Sequence, residues 1–322
     1  MDTCSCLRRC CRPHRGGCIR SLSLAVEPPA GLVALVVRRL DAETYLALPK
    51  YTRSPRGPWT APLMGPVKRV FRVYETRHLL AAVKPDTADP RYGATVPVYT
   101  PSEATLVCGG RDCIPEPLRA ELPEPLARLA ERGCLYTTGS HASCMARSWS
   151  DLDLVVDGAG GCWGYVLELV YSERPSGVDP PSGSYVAREA GARGLDPALI
   201  QRLLPWWQRF TLPSGVEVSV ALVDASARCS PERRLFQVHA GKRVRLRVEA
   251  KPEAERGLLD YPGLISEPGA VVYDGFYTSI LLAAGCVEVE GPYVEAVLPD
   301  GSRVEGVAVG AREGPTLLRP CG

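Results

Sequence analysis

The chain has 322 residues, of which 45% are apolar, and a formal net charge of +2 at pH 7. This length favours two or three domains with a substantial core. The charge excludes a protein that is basic throughout, as dedicated nucleic-acid binders are, so any basic site must be local. No stretch approaches the roughly 20 apolar residues that a membrane helix requires. The sequence therefore predicts a cytoplasmic protein with no membrane partner, and it leaves the oligomeric state open.

The residue usage resembles that of heat-adapted proteins. Asn is absent and Gln occurs only at positions 201, 208 and 237, and poverty in both is typical of thermophiles. The 13 Cys residues do not decide the matter. Heat-adapted proteins often contain few Cys, whereas intracellular proteins of hyperthermophilic archaea are often rich in disulfides.

Residues 1–27 are predicted to be a disordered leader, rich in Cys and Arg. They contain no apolar stretch like that of a signal peptide, and their Cys spacing fits no zinc pattern. A metal or redox tag is the alternative. The Cys residues outside this leader stand singly, mostly among apolar neighbours, and are predicted to be small buried side chains.

Residues 28–110 are predicted to form a β-rich N-terminal domain. Short runs typical of strands recur there, separated by turns rich in Pro and Gly. These runs lie at residues 32–37, 45–48, 67–74 and 95–99.

Residues 111–240 are predicted to form the central domain. An amphipathic helix is expected at residues 116–132, interrupted by Pro123 and Pro125. A strand, a Gly-Ser turn, a helix and a second strand follow over residues 134–156. The later elements expected in this domain are helices at residues 162–171 and 197–210 and a hairpin at residues 211–223.

Residues 241–322 are predicted to form a β-rich C-terminal domain. The run at residues 242–247 alternates cations with apolar residues, which suits an edge strand protected by charge and a nucleic-acid contact equally well. The whole chain is thus predicted to be α/β, of the α+β type. A central mixed sheet with helices is flanked by β-rich N- and C-terminal segments.

The central domain contains an Asp-x-Asp motif at Asp151-Leu152-Asp153, shortly after the turn Gly139-Ser140. Since side chains alternate along a strand, the two Asp share one face while Leu152 faces the core. Two carboxylates so placed repel each other unless a cation lies between them. Oxygen ligands of this kind suit Mg²⁺ or Mn²⁺, with water and substrate phosphates completing the shell.

Two further features fit phosphoryl transfer. A Gly-Ser turn that opens a helix offers backbone N–H groups to a phosphate, and the Ser140 hydroxyl adds a donor. Glu217 lies in the alternating run Val216-Glu217-Val218-Ser219-Val220, which places it on the open face of a strand as a third metal ligand. For Glu217 considered alone, an ordinary solvated strand position is an equally good interpretation.

The stretch from Gly139 to Leu154 resembles the signature of the DNA polymerase β-like nucleotidyltransferase superfamily. Together with the Glu217 strand, it also resembles archaeal proteins described as predicted nucleotidyltransferases. The resemblance spans residues 134–224 and implies a nucleotidyltransferase-type central sheet. The metal ligands and the triphosphate-binding residues that it implies are Asp151, Asp153, Glu217, Gly139 and Ser140.

The chain departs from this family at one position. The Arg that many minimal members carry after Gly-Ser is absent here, since Ala142-Ser143-Cys144 follows. Arg147 is the candidate replacement cation, with a solvated loop residue as the alternative. Ser150, directly before the first Asp, is assigned to the same nucleotide site.

These residues predict metal-dependent transfer of a nucleoside monophosphate from a nucleoside triphosphate such as ATP to a hydroxyl group. RNA, a protein side chain or a small molecule remain open as the acceptor. The alternative is a protein that binds nucleotide or RNA on the same fold without catalysis.

Overall fold

A computed structural model describes residues 8–71, 88–89, 94–95, 98–109, 113–311 and 313–321. The chain forms two compact units, each built from separate stretches of sequence. The first unit comprises Met1–Arg72, Val98–Pro180 and Trp206–Pro231. The second comprises Val73–Pro97, Pro181–Pro205 and Glu232–Gly322. The sequence did not indicate this interleaving.

The described part of the chain is mixed α and β, with sheets predominating, which confirms the coarse fold prediction. In chain order the first ten strands are β1 (Cys11–Pro13), β2 (Leu24–Glu27), β3 (Leu32–Arg39), β4 (Tyr45–Arg53), β5 (Trp59–Ala61), β6 (Gly65–Arg69), β7 (Ala88–Asp89), β8 (Ala94–Thr95), β9 (Val98–Tyr99) and β10 (Leu106–Cys108). The next ten are β11 (Leu135–Thr137), β12 (Leu152–Asp157), β13 (Arg209–Thr211), β14 (Glu217–Val223), β15 (Leu235–Val248), β16 (Gly263–Ile265), β17 (Ala270–Val272), β18 (Val287–Val297), β19 (Arg303–Val309) and β20 (Leu317–Pro320).

The α-helices are short. From residue 113 onward they are α1 (Glu116–Ala120), α2 (Glu124–Glu131), α3 (Gly139–Ala142), α4 (Trp163–Tyr171), α5 (Gly183–Arg193), α6 (Pro197–Leu203), α7 (Ala225–Cys229) and α8 (Gly275–Ala284). None of the helices in these described ranges has the length and apolar character needed to cross a bilayer.

The first unit contains two sheets. One has eight antiparallel strands in the order β1-β10-β2-β3-β4-β6-β5, with β9 paired to β4. The other has the order β11-β12-β14-β13, in which β12 and β14 are parallel and the outer pairs are antiparallel. Its central strand β12 buries Leu152, Leu154, Val155 and Val156 at 0–1% exposure. Its second residue, Asp153, is the partly exposed position between the buried Leu152 and Leu154.

The predicted disordered leader is wrong for residues 8–27. Strands β1 and β2 both pair with β10, and Leu24, Ala25 and Val26 are fully buried. The leader looked polar because Cys and Arg dominate its first half, whereas the apolar residues that dock into the sheet come afterwards. Residues 1–7 lie outside the described ranges.

The second unit is built on a six-stranded sheet. Its order is β15-β18-β19-β17-β16, with β20 also paired to β18. Among the described strands β15 pairs with β18 alone, so the basic run lies on an edge strand, which was one of its two interpretations. Arg193 of α5 is 3% exposed and donates to Asp274, the N-cap residue of α8, at 3.2 Å. This buried ion pair joins two helices of the unit.

The predicted helix at residues 197–210 ends early, at Leu203. Leu204 has an extended backbone, as expected for a residue that precedes a proline, here Pro205. The chain then re-enters the first unit and forms β13, in which Phe210 is buried. Arg209 therefore lies on a strand and not on a helix.

Disulfides replace the single buried cysteines that were predicted. Four disulfide bonds join described cysteines: Cys11–Cys108, Cys18–Cys229, Cys134–Cys162 and Cys286–Cys321. The partners are 28 to 211 residues apart in sequence, so the spacing of the cysteines could not indicate the pairing. Cys113 does fit the prediction of burial, at 3% exposure.

Candidate functional site

The predicted acids lie together at one end of the parallel pair β12 and β14. Asp151 directly precedes β12, Asp153 is its second residue, and Glu217 begins β14. The register places Asp153 opposite Ser219. Glu217 thus lies on the strand adjacent to the Asp pair, as predicted. The outward position of these residues follows from alternation, since Leu152 and Val218 between them are fully buried.

A buried arginine lies between two of the three acids. Arg209 on β13 donates through Nη1 to Asp151 Oδ2 at 2.9 Å and through Nη2 to Glu217 Oε2. Its side chain is 6% exposed, while those of Asp151 and Glu217 are 34% and 36% exposed. The fork of a guanidinium suits two carboxylates at once. Asp151 and Glu217 therefore do share a cation, and that cation is Arg209.

Asp153 has a different set of partners. Its Oδ1 accepts a hydrogen bond from Ser219 Oγ at 2.6 Å, and its Oδ2 lies 3.9 Å from Lys50 Nζ on β4. Lys50 is 15% exposed and Asp153 is 24% exposed. The eight-stranded sheet thus contributes a cation to the acids of the mixed sheet within the same unit.

The charges around Asp151 hold it ionised. Burial alone would raise the pKa of its carboxyl group, but Arg209, then Lys50 and Arg69, outweigh burial and leave the pKa below its usual value of 3.8. The pKa of the nearby His141 is also lowered, but here burial is the cause and outweighs the two Asp, so its imidazole is neutral at neutral pH. The turn therefore gains no cation from His141.

The Gly-Ser turn contacts the acid pair directly. Gly139 has φ +65°, and a Cβ placed on it would lie 1.9 Å from Asp153 Oδ2. Glycine is required here because the carboxylate of Asp153 packs against the backbone. This reason for Gly139 differs from the predicted close approach of a phosphate. Ser140 is 6% exposed, and α3 is a single turn, so the turn itself is a smaller anion site than was predicted.

The loop residues assigned to nucleotide binding have structural contacts. Arg147 donates through Nη2 to the carbonyl oxygen of Pro58 at 3.0 Å, and its backbone N–H donates to Ser150 Oγ at 2.9 Å. The Ser150 N–H donates to the Arg147 carbonyl, also at 2.9 Å, which closes a β-turn. Ser150 thus stabilises the loop that leads into Asp151, and the cations beside the acids are Lys50 and Arg209.

Sequence reasoning missed Lys50, Arg69 and Arg209. Arg209 was placed at the end of a helix, although Pro205 and the alternation of Arg209-Phe210-Thr211 indicated a short strand. Lys50 and Arg69 belong to strands about a hundred residues earlier in the chain, and no local pattern links them to Asp153. The stretch at residues 44–71 does carry one signal, because it contains five cations and no acid.

The donor set fits a metal held by two carboxylates better than one held by three. No group of three or more His, Cys, Asp or Glu residues that could hold a metal occurs within the described ranges. Asp151 and Asp153 are each partly exposed, and Mg²⁺ is often bound by one or two carboxylates plus substrate phosphates. Glu217 could join such a site only after Arg209 releases it.

Comparison of the chain with protein families, with curated protein sequences and with solved structures found no match.

Proposed function

We propose that the chain is a metal-dependent nucleotidyltransferase whose site is the acid and cation cluster around Asp153. The observation that carries this proposal is the meeting of Asp151, Asp153 and Glu217 with Lys50 and Arg209 at one end of two parallel strands. Phosphoryl transfer needs this combination, because its catalysis consists mainly of positioning and charge neutralisation.

Asp151 and Asp153 are the residues that would hold Mg²⁺ or Mn²⁺. The ion, when bound, would lower the pKa of the acceptor hydroxyl and neutralise the charge of the triphosphate. Lys50 adds a cation on the Asp153 side, and the backbone of Gly139 packs against the same carboxylate. The nucleotidyltransferase-type sheet belongs to this proposal, with β11 and α3 leading into β12 and with β14 beside it.

Arg209 holds Glu217 and orients Asp151 in the absence of substrate. A triphosphate offers this guanidinium an alternative partner of higher charge. Glu217 becomes available as a third ligand when Arg209 moves to the phosphates. This exchange would couple triphosphate binding to completion of the metal site.

The second candidate is a nucleotide- or RNA-binding protein without catalysis. The Arg209 bridge favours it, because two of the three acids are already neutralised by a side chain. Such a protein would bind phosphates through Lys50 and Arg209, and it would need no metal.

Calorimetry with a non-hydrolysable nucleoside triphosphate tests whether the acid and cation cluster is a nucleotide-binding site. We expect binding that strengthens with Mg²⁺ and that is lost in Asp153→Ala. Glu131→Gln removes an exposed acid of α2 and serves as the control, because it should bind as the wild type does. Equal binding by Asp153→Ala and wild type would place any nucleotide elsewhere.

A further inference from the structure

A surface of the first unit beside the acids is both basic and aromatic. The stretch at residues 44–71 contains five cations and no acid, within a chain whose net charge is only +2. These cations are Lys50, Arg53, Arg56, Lys68 and Arg69. All except the half-buried Lys50 are exposed. The register pairs Arg69 with Tyr51 and Lys68 with Thr52, so the cations are divided between the two faces of the strands, and Lys50 and Arg69 are the ones beside the acids. Two cations next to a phosphate-transfer site suit the phosphate backbone of a polyanion.

This surface reaches the acid cluster through two of its members. Lys50 Nζ is 3.9 Å from Asp153 Oδ2, and the charge of Arg69 acts on Asp151. Arg69 also lies over the ring of Trp59, with its guanidinium carbon 5.2 Å from the ring centroid. A guanidinium stacked on an indole offers both a cation and a flat surface to a base.

Trp149 lies in the turn that leads into Asp151, and its side chain is 70% exposed. The turn is rigid for a structural reason: Ser150 N–H bonds to Arg147 O, and Arg147 bonds to Pro58 O. The Pro58 loop is held in turn by Gly57, where a Cβ would lie 2.1 Å from the Val67 oxygen. A tryptophan fixed in solvent by its backbone is unusual for a monomeric surface, because it gains nothing from burial.

We propose that the acceptor at this site is a single-stranded polynucleotide, with Trp149 stacking on a base and Lys50, Arg69 and their neighbouring cations following the backbone. Base stacking on an aromatic ring beside a basic groove is the usual way to bind single strands without reading their sequence. The inference rests on the proposed function only in treating the bound polynucleotide as the acceptor of nucleotide transfer. The binding surface itself stands on the charge and exposure described above.

The test is binding of a fluorescently labelled 15-nucleotide RNA to the full chain, measured by anisotropy in EDTA and without triphosphate. Because no metal or triphosphate is present, RNA binding is measured independently of whether the protein transfers nucleotides. We expect Trp149→Ala to weaken binding roughly 5- to 150-fold, and Trp149→Phe to restore most of the affinity. Tyr171→Ala is the matched control, because Tyr171 is also an exposed aromatic residue, at 57%.

Salt dependence tests the cations. Arg69→Ser should reduce the slope of log affinity against log salt by about 0.7, the value of one phosphate contact on a single strand. Arg132→Ser is its control. Arg132 is likewise exposed and lies over an aromatic ring, with its guanidinium carbon 5.5 Å from the centroid of the Tyr165 ring. We expect the control to leave the slope unchanged.

Two competitors identify what is bound. Inorganic polyphosphate should bind equally to wild type and Trp149→Ala, because it has no bases to stack. Polyglutamate should compete poorly with RNA of equal charge. The proposal is overturned if Trp149→Ala and Arg69→Ser bind RNA as their controls do, or if polyglutamate displaces RNA at equal charge, which would indicate an acidic protein partner.

Discussion

Arg209 donates to Asp151 at 2.9 Å, and this ion pair determines the state of the candidate site before any substrate binds. The same guanidinium also binds Glu217. The Arg209 side chain is 6% exposed, so losing one of these carboxylates would leave a buried charge without its partner unless another anion replaces it. Arg209 therefore controls both the ionisation of Asp151 and the availability of Glu217.

The first prediction concerns pH. The pKa of Asp151 is held below its usual value of 3.8, because burial raises it but Arg209, together with Lys50 and Arg69, lowers it by more. A carboxyl group whose pKa is lower in the folded state stabilises the fold above pH 3.8, and that contribution is lost as the pH falls through the folded-state pKa. We expect carbon NMR of the Asp side chains to show one carboxyl titrating below pH 3.8. In Arg209→Ala its titration should shift to higher pH, and an unchanged titration would remove Arg209 as the cause.

The second prediction concerns metal affinity. Arg209→Ala leaves two carboxylates without their shared cation, so we expect the free energy of unfolding to fall by about 1–3 kcal/mol. The same change removes a competitor for the acids, so Mn²⁺ should bind roughly tenfold more tightly, which corresponds to ~1.4 kcal/mol. Manganese EPR and chemical denaturation measure the two effects. A variant that is less stable and also binds Mn²⁺ more weakly would contradict the proposed competition.

The third prediction concerns Gly139. Alanine there would adopt a left-handed backbone at a cost of about 1–2 kcal/mol, and its Cβ would displace the carboxylate of Asp153. We expect both thermal stability and Mg²⁺-dependent nucleotide binding to decrease. Gly164→Ala is the control, since Gly164 lies in α4 with nothing within 4 Å of its Cβ position. That variant should be as stable as the wild type or slightly more so.

The fourth prediction concerns the disulfide between Cys134 and Cys162. It links the start of β11 to the start of α4 across 28 residues. A loop of this length contributes about 3–4 kcal/mol in the chain-entropy account. The double Ala variant should lose that amount in chemical denaturation, and each single variant should lose about as much, because either removes the bond. No loss in the double variant would show that this disulfide does not stabilise the folded state relative to the unfolded chain.

The local sequence pattern was sufficient to locate the two strands that bear the acids. The alternation in Val218 and Val220 located β14, and the apolar run from Leu152 located β12, because each strand has a face that must be buried. The pairing of β12 with β14 brings Glu217 beside the Asp pair. That part of the site was predictable once the two strands were assumed to be neighbours.

Long-range contacts were beyond the sequence. Lys50 reaches Asp153 across about a hundred residues, and Cys18 pairs with Cys229 across 211. Neither contact has a periodic signature, since each depends on how the sheets pack. Arg209 was missed for a local reason, because the helix predicted at residues 197–210 was continued past Pro205.

The most direct test of nucleotide transfer is incorporation of label from each α-labelled nucleoside triphosphate, with Mg²⁺ or Mn²⁺ and with single-stranded RNA as acceptor. The full chain should incorporate nucleoside monophosphate in a reaction that EDTA stops. Asp153→Asn should lose the activity while remaining folded, because an amide oxygen can still accept the hydrogen bond from Ser219. Incorporation by Asp153→Asn at the wild-type rate would contradict the assignment of this site as the catalytic centre.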